Sequence, residues 1–216
     1  AINTLYFYPV FLKEEYYGLV VFLLATSNLL MPLVAFGSQH TIIKYYSSYS
    51  NKNDRDSFMS SVILIPLFTI VPISLLVIEF HDLIGEFLSI QNPIIESYVW
   101  VIFLVAFATS YFEVFYSWAR VQLKSVFGNF LKEIFPRLSV FSLLICVYFG
   151  LINKEEFVWW LTGLYYLRLF IMIMYSFSLY FPKITFSLPR NIGSILTYSF
   201  YIFLAGSAAS ILIDID

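Results

Sequence analysis

The sequence predicts an all-α polytopic membrane helical bundle, and three observations carry that prediction. Of the 216 residues, 60% are hydrophobic and 21% aromatic, and the mean hydropathy is +0.82. Only 12% are charged, whereas a water-soluble domain carries about 25%. That leaves too little polar surface to hydrate a globule, so most of the surface must face lipid. The apolar residues also fall in unbroken runs of about 20, the length a helix needs to cross a hydrocarbon core of about 30 Å. Within lipid only a helix or a closed barrel satisfies the backbone, and runs without period-two alternation exclude the barrel.

The elements follow in order. An apolar remnant at 5–12 is too short to cross a bilayer, and the first full run covers 17–36. The more polar stretch 37–49 is expected to prolong the same helix towards the interface. Further runs occupy 58–78, 97–119 (broken only by Glu113), 138–153, 157–181 (around Arg168) and 191–213, about seven spanning elements in all. Ala1 in place of an initiator methionine, the short remnant and the ending Ile213-Asp214-Ile215-Asp216 read as a piece of a longer chain. No signal-peptide pattern offers another reading of the start.

If the runs alternate direction, Lys44, Lys52, Arg55, Arg120, Lys124, Lys132, Arg137, Lys183 and Arg190 share one side, against Lys13 and Lys154 on the other. The positive-inside rule assigns the nine to the cytoplasm. The 13–15, 81–96 and 153–156 connections then lie outside. Pro32, Pro66 and Pro72 fall inside runs, where each removes a backbone hydrogen bond; they suit a moving bundle, or are simply the prolines common in membrane helices. The patch Ala205-Gly206-Ser207-Ala208-Ala209-Ser210 is expected to let another helix approach closely.

Arg168 is the sharpest single signal. An arginine at mid-span costs about 2.5–3.5 kcal/mol on insertion scales, so it must face protein or water. Helical spacing puts Tyr165, Arg168, Met172 and Tyr175 on one face, either as a cationic, hydroxyl-bearing stripe for a ligand or as an arginine paired between helices. Glu113, Tyr116 and Arg120 share a face of their helix, with Lys124 expected one turn further on. They form either an ionizable track to the cytoplasmic mouth or an interfacial arginine with Glu113 partnered on a neighbouring helix. Glu133 and Arg137 are a favourable i, i+4 pair, and His40 and His81 are interfacial polar residues.

A lone Cys146 can form no internal disulfide and lies in no metal-binding spacing, so neither cofactor nor metal is expected. A net charge of -2 without a basic block argues against nucleic acid. There is no phosphate-binding glycine loop, no HExxH, no Gly-x-Ser-x-Gly and no close Asp pair of the kind membrane transferases use for divalent metals, Asp54 and Asp56 lying in a polar run that reads as a solvated loop, so an embedded enzyme is disfavoured.

Several segments carry a resemblance. Glu14-Glu15-Tyr16-Tyr17-Gly18-Leu19, then an apolar helix, then Phe36-Gly37-Ser38-Gln39 leading to Lys44-Tyr45-Tyr46, are similar to the opening of bacterial polysaccharide flippases. These belong to the multidrug/oligosaccharidyl-lipid/polysaccharide superfamily. Ala119-Arg120-Val121-Gln122 resembles their cytoplasmic signature after the fourth helix, Asn129, Glu133 and Arg137 their pattern entering the fifth, and Ile213-Asp214 the end of the seventh. Lys44 stands where such sequences usually have arginine, which keeps the charge but loses bidentate phosphate binding.

The resemblance implies the N-terminal bundle of a two-bundle, MATE-like transporter. Residues 1–181 would be that bundle with its first helix truncated, 182–190 a cytoplasmic linker and 191–216 the first helix of the second bundle. It implies a multi-pass protein of the bacterial inner (plasma) membrane that moves a polyprenyl-pyrophosphate-linked oligosaccharide outwards by alternating access, for O-antigen, lipopolysaccharide or other surface polysaccharide biosynthesis. Membrane lipid and a coupling ion, H+ or Na+, are further expected partners. A water-filled cationic groove suits such a headgroup, and Arg168, Tyr165, Tyr175, Glu113, Arg120 and Lys44 are the candidate substrate-binding residues. A drug or metabolite antiporter or a lipid II flippase of the same superfamily would share the bundle, and a glycan-assembly enzyme is the rival of another class.

The orientation is testable by labelling single cysteines with a membrane-impermeant reagent in intact cells. A cysteine at Asn92 is expected to react and cysteines at Asn53 and Ser187 to stay unlabelled; equal labelling at all three overturns the orientation.

Overall fold

The computed structural model describes residues 8–90 and 92–214, and every regular element among them is a helix. The first, α1 (Tyr8–Ala35), leaves helical geometry at Lys13 (φ 63°, ψ 164°), so the chain turns at the charged Lys13-Glu14-Glu15 stretch. Residues 5–7 of the apolar remnant lie outside the described residues. The helix continues through Pro32, whose carbonyl accepts from the Phe36 N–H at 3.0 Å. It does not continue through residue 49 as the sequence suggested. Phe36 (φ 47°) and Gly37 (φ 68°) are both left-handed, which ends α1 and starts a separate helix, α2 (Ser38–Tyr45). A Cβ at Gly37 would sit 2.6 Å from the Ser199 carbonyl oxygen, so both backbone and space demand glycine there.

Next comes α3 (Lys52–Glu79), which starts where the Asn51 side chain caps the Asn53 N–H at 3.2 Å and runs on through Pro66 and Pro72. The connection at 81–96 is mostly helical, with α4 (His81–Ser89) and a 3-10 helix at Pro93–Tyr98. Then follow α5 (Val99–Val121), α6 (Ser125–Glu133), α7 (Phe135–Tyr148), α8 (Lys154–Leu179) and α9 (Ile192–Asp214). Asn153 and Glu156 form a reciprocal capping box at the start of α8, which removes 153 from the preceding run. Among the described residues four helices are long and apolar enough to cross a membrane: Phe11–Ala35, Lys52–Glu79, Pro93–Val121 and Lys154–Leu179.

The run at 138–153 needs a second correction. Its helix, α7, has 14 residues, short of the roughly 20 a crossing requires. Packing shows what supplies the rest. Along α5 and α8, Phe107 meets Tyr166, Phe112 meets Arg168, and Phe115 and Trp118 both meet Phe177, so the two helices run parallel. The chain between parallel neighbours must return once along the bundle. It does so as α6 and α7 joined through Ile134. α6 runs back along α5, with Gly128 against Tyr116 and Lys132 against Glu113. Most of 123–130 is therefore helix rather than loop. Lys124 does not extend the α5 face, because α5 stops at Val121 and Leu123 turns with φ 60°.

α5 occupies the centre: 72% of its apolar window is buried, against 22% for α3. Buried small residues such as Ala106, Ala108, Ser110, Ser117 and Ala119 let neighbours approach. Hydroxyls then tie backbones together: Ser27 donates to the Ile102 carbonyl (2.9 Å), Ser110 to Met31 (3.1 Å), Tyr111 to Ile63 (3.1 Å) and Ser176 to Phe115 (2.9 Å).

The stretch 182–190, expected as a cytoplasmic linker, is strapped across the start of α3. Ser57 donates to the Ser187 carbonyl, Ser60 accepts from the Thr185 N–H at 3.2 Å, and Tyr180 donates to the buried Asp56. Beyond it α9 runs antiparallel to α1 and α2. Gly206 of the small-residue patch sits beside Pro32, and Thr41 and Ser199 share a 2.7 Å hydrogen bond. The side chains of Ala209 and Ser210 lie outside the described residues. Lys44, Lys52, Arg55, Arg120, Lys124, Lys183 and Arg190 thus gather at one end of the bundle, while Lys154 lies over the Tyr16 ring at the other.

Gly37→Ala is expected to lower unfolding stability in detergent by about 1–3 kcal/mol through strain and overlap. Gly163→Ala, with nothing within 4 Å of the added methyl, is the control and is expected to cost nothing. Chemical denaturation of the two variants beside the parent checks both.

Candidate functional site

Two stacked aromatic rings of α5 organise the charges inside the bundle. Phe112 and Tyr116 are one helical turn apart, with centroids 6.0 Å apart and planes at 26°. The Arg168 guanidinium from α8 lies 4.3 Å from the Phe112 centroid and 4.8 Å from that of Tyr165 on its own helix. The Lys132 ammonium from α6 lies 5.7 Å from the Tyr116 centroid, and the Arg120 guanidinium 5.6 Å. Such contacts are worth about 0.5–1 kcal/mol when exposed and about 2 when desolvated, so they orient these cations without neutralising them.

One carboxylate enters this group. Glu113 accepts from Lys132 at 2.7 Å, with the glutamate side chain 13% exposed and the lysine 40%. The pair forms because Gly128, one turn before Lys132, leaves room for the Tyr116 ring: a Cβ there would overlap it. Arg168 has no ion pair among the described residues, is 6% exposed, and has a buried Nε without a hydrogen-bond partner. Three cations and one carboxylate around the two rings leave an excess of two positive charges. His40 on α2, exposed at the edge of this group, is held below the ordinary histidine value by partial burial, which the Glu113 charge opposes and the Arg120 charge reinforces.

Arg168 also lines a small cavity with Tyr165 and residues of α7, among them Pro136 and Ser139. Its volume of about 10 Å³ is room for one water and no more. The expected face of α8 is present but divided. Met172 is fully buried, Tyr165 flanks Arg168, and the Tyr175 ring packs 4.6 Å from Phe127 of α6. Arg120 faces an open recess of about 300 Å³ at the basic end, together with Tyr46 and Ser47. Lys44 stands apart from all of these, 3.7 Å from the Tyr198 centroid of α9. Sequence reasoning missed Lys132 as a member of the site. Its signal was Gly128 four residues earlier, since a glycine and a lysine on one helical face permit a close approach that ends in a charge. Glu133 and Arg137 form the expected pair at 3.4 Å on the exposed side.

With this geometry in place the comparisons are decisive at family level. The family model described as polysaccharide biosynthesis protein matches residues 3–216. The chain belongs to that family. Membership supports a flippase or exporter role in general, a multi-pass membrane protein, and a saccharide carried on a lipid. No curated protein and no solved structure matches the chain.

Removing either partner of the Glu113–Lys132 pair leaves the other charge partly buried. Glu113→Gln and Lys132→Met are each expected to cost about 1–3 kcal/mol of unfolding stability in detergent. The double variant is expected to lose less than the sum, by about 0.5 kcal/mol or more. Additive losses in the double-mutant cycle refute the coupling.

Proposed function

We propose that this polysaccharide biosynthesis protein contributes one bundle of a flippase that moves a polyprenyl-pyrophosphate-linked oligosaccharide across the bacterial inner membrane by alternating access. The observation that carries the reading is the cationic excess around Phe112 and Tyr116, with Arg168 buried and unpaired. An uncompensated guanidinium at that depth needs water or an anion, and the pyrophosphate of a lipid-linked saccharide is an anion that must pass the hydrocarbon. A carrier of cationic drugs calls for a free carboxylate at such a place. Here the one carboxylate of the cluster is already taken by Lys132.

In the arrangement described, Arg168 is closed off from bulk solvent, so substrate reaches it only if a wall moves. The wall is α7, which carries Pro136 and Ser139 beside Arg168 and joins α6 at Ile134. The Ile134 N–H bonds to the Phe130 carbonyl and the Leu138 N–H to that of Ile134, while Pro136 between them has no N–H to continue the ladder from α6 into α7, which leaves the joint free to flex. Displacement of α7 relative to α6 opens the 10 Å³ cavity while the Glu113–Lys132 contact holds α6 on α5. The boundaries 1–181, 182–190 and 191–216 remain our reading of the bundle, the linker and the first helix of a second bundle, with the basic end in the cytoplasm.

In the full-length protein, Arg168→Ala is expected to lower glycan export per molecule about tenfold or more, the scale of one or two lost charged hydrogen bonds, with normal membrane abundance. Arg168→Lys is expected to restore part of it. Export assayed beside immunoblotting of the membrane fraction separates this from a purely structural arginine, whose loss lowers abundance and leaves export per molecule intact.

A further inference from the structure

A groove of about 530 Å³ opens between α3 and α9 near the basic end, a volume typical of sites that take a whole small molecule. Its floor is the strap, through Thr185, Phe186 and Leu188. Its open side is built of apolar side chains left uncovered: Phe68 is 78% exposed and Phe186 89%. The hydroxyls along the groove are turned away from it. Ser61 donates to the Ser57 carbonyl at 2.9 Å, Thr69 to the carbonyls of Val34 (2.7 Å) and Pro66 (2.9 Å), and Thr185 accepts from Ser187 at 3.2 Å. An occupant therefore meets mainly carbon. One wall is held at a cost, since the Phe36 backbone is left-handed (φ 47°) and its ring stacks 5.5 Å from that of Phe203.

The strap that floors the groove is flanked by positive charge. The strap carries Lys183 before Thr185 and ends at Arg190, two residues before the groove residue Ile192. Both cations are exposed, and among the described residues neither has an ion-pair partner. Asp56, the nearby buried acid, is engaged by Tyr180. The complement of this surface is one apolar chain ending in a concentrated negative charge. A glycerophospholipid brings two chains and one phosphodiester, whereas a polyprenyl diphosphate brings a single chain and a more highly charged head.

We infer that the groove between α3 and α9 binds the polyprenyl chain of a diphosphate lipid, with Lys183 and Arg190 at its head. The choice of this lipid rests on the flippase reading, while the groove and its charges stand independently of it. The site is separate from the Arg168 cluster. It lies on the lipid-facing flank and holds the lipid, head at Lys183 and Arg190, before the headgroup enters the bundle.

The test uses full-length protein in nanodiscs and a diazirine-tagged polyprenyl diphosphate, with adducts mapped by mass spectrometry. Expected are adducts concentrated at Leu64, Phe68 and Leu196, displaced by unlabelled polyprenyl diphosphate and not by equal phosphatidylglycerol. Leu64→Trp, which denies the chain the equivalent of about two methylenes, is expected to cut groove labelling about tenfold. Lys183→Gln with Arg190→Gln leaves the walls intact, and is expected to reduce labelling by the diphosphate severalfold and labelling by the neutral polyprenol not at all. Adducts spread evenly over lipid-facing positions such as Leu75 and Phe170, or equal displacement by phosphatidylglycerol, overturn the proposal. Saccharide flipping in liposomes is measured in parallel: flipping without groove labelling removes the groove alone, and groove labelling without flipping removes the flippase reading alone.

Discussion

Helices surrounded by lipid gain little from burying one leucine against another, because the lipid tails they leave are as apolar as the side chains they meet. Close backbone approach and the hydrogen bonds it permits must then hold the bundle. In this protein those contacts converge on α5. Serines of α1 and α8 and the tyrosine and serine of α5 itself reach across to main-chain carbonyls of the facing helix, at distances of 2.9–3.1 Å. These bonds set the register in which Phe112 faces Arg168 and Tyr116 faces Gly128. A slip of one residue on α5 would turn both rings about 100° around its axis and disperse the cations they gather.

How far the sequence could be read depended on the range of the interactions involved. Composition and run length are local, and they located the crossings of α1, α3, α5 and α8 and the helix α9, with the starts of α1 and α3 reaching further than the apolar runs. Charge counting placed the basic residues together because it needs only alternation. The misreadings all arose where geometry at one position overrode an apolar or polar trend. Two consecutive left-handed residues at 36 and 37 broke what looked like a continuous helix. Hydropathy could not see α6, because Lys132 and Glu133 dilute its apolar face even though the backbone is helical from Ser125 onwards.

The site was legible in part for a similar reason. Arg168 and its neighbours Tyr165 and Met172 follow from helical spacing alone, and so does the shared face of Glu113, Tyr116 and Arg120. Which faces meet is a pairing between different helices, and one sequence carries no direct record of it. Lys44 is an example: its place beside a recurrent motif suggested a substrate contact, and no motif records that its side chain lies over an aromatic ring of α9. Lys132 shows the reverse, a residue in a basic, apparently solvated segment that becomes the partner of a carboxylate inside the bundle.

The strap of 182–190 bears on how the protein is assembled during synthesis. Membrane helices leave the ribosome in chain order, and domains form as units from the N-terminus onwards. Among the described residues the hydrogen bonds that fix the strap and α9 reach Thr41 of α2, Tyr49, and Asp56, Ser57 and Ser60 of α3, all made earlier. α9 therefore enters against a finished edge that already displays Gly37, Thr41 and Ser57 as its docking points. The placement of α9 is thus inherited from the first hundred residues rather than found by search.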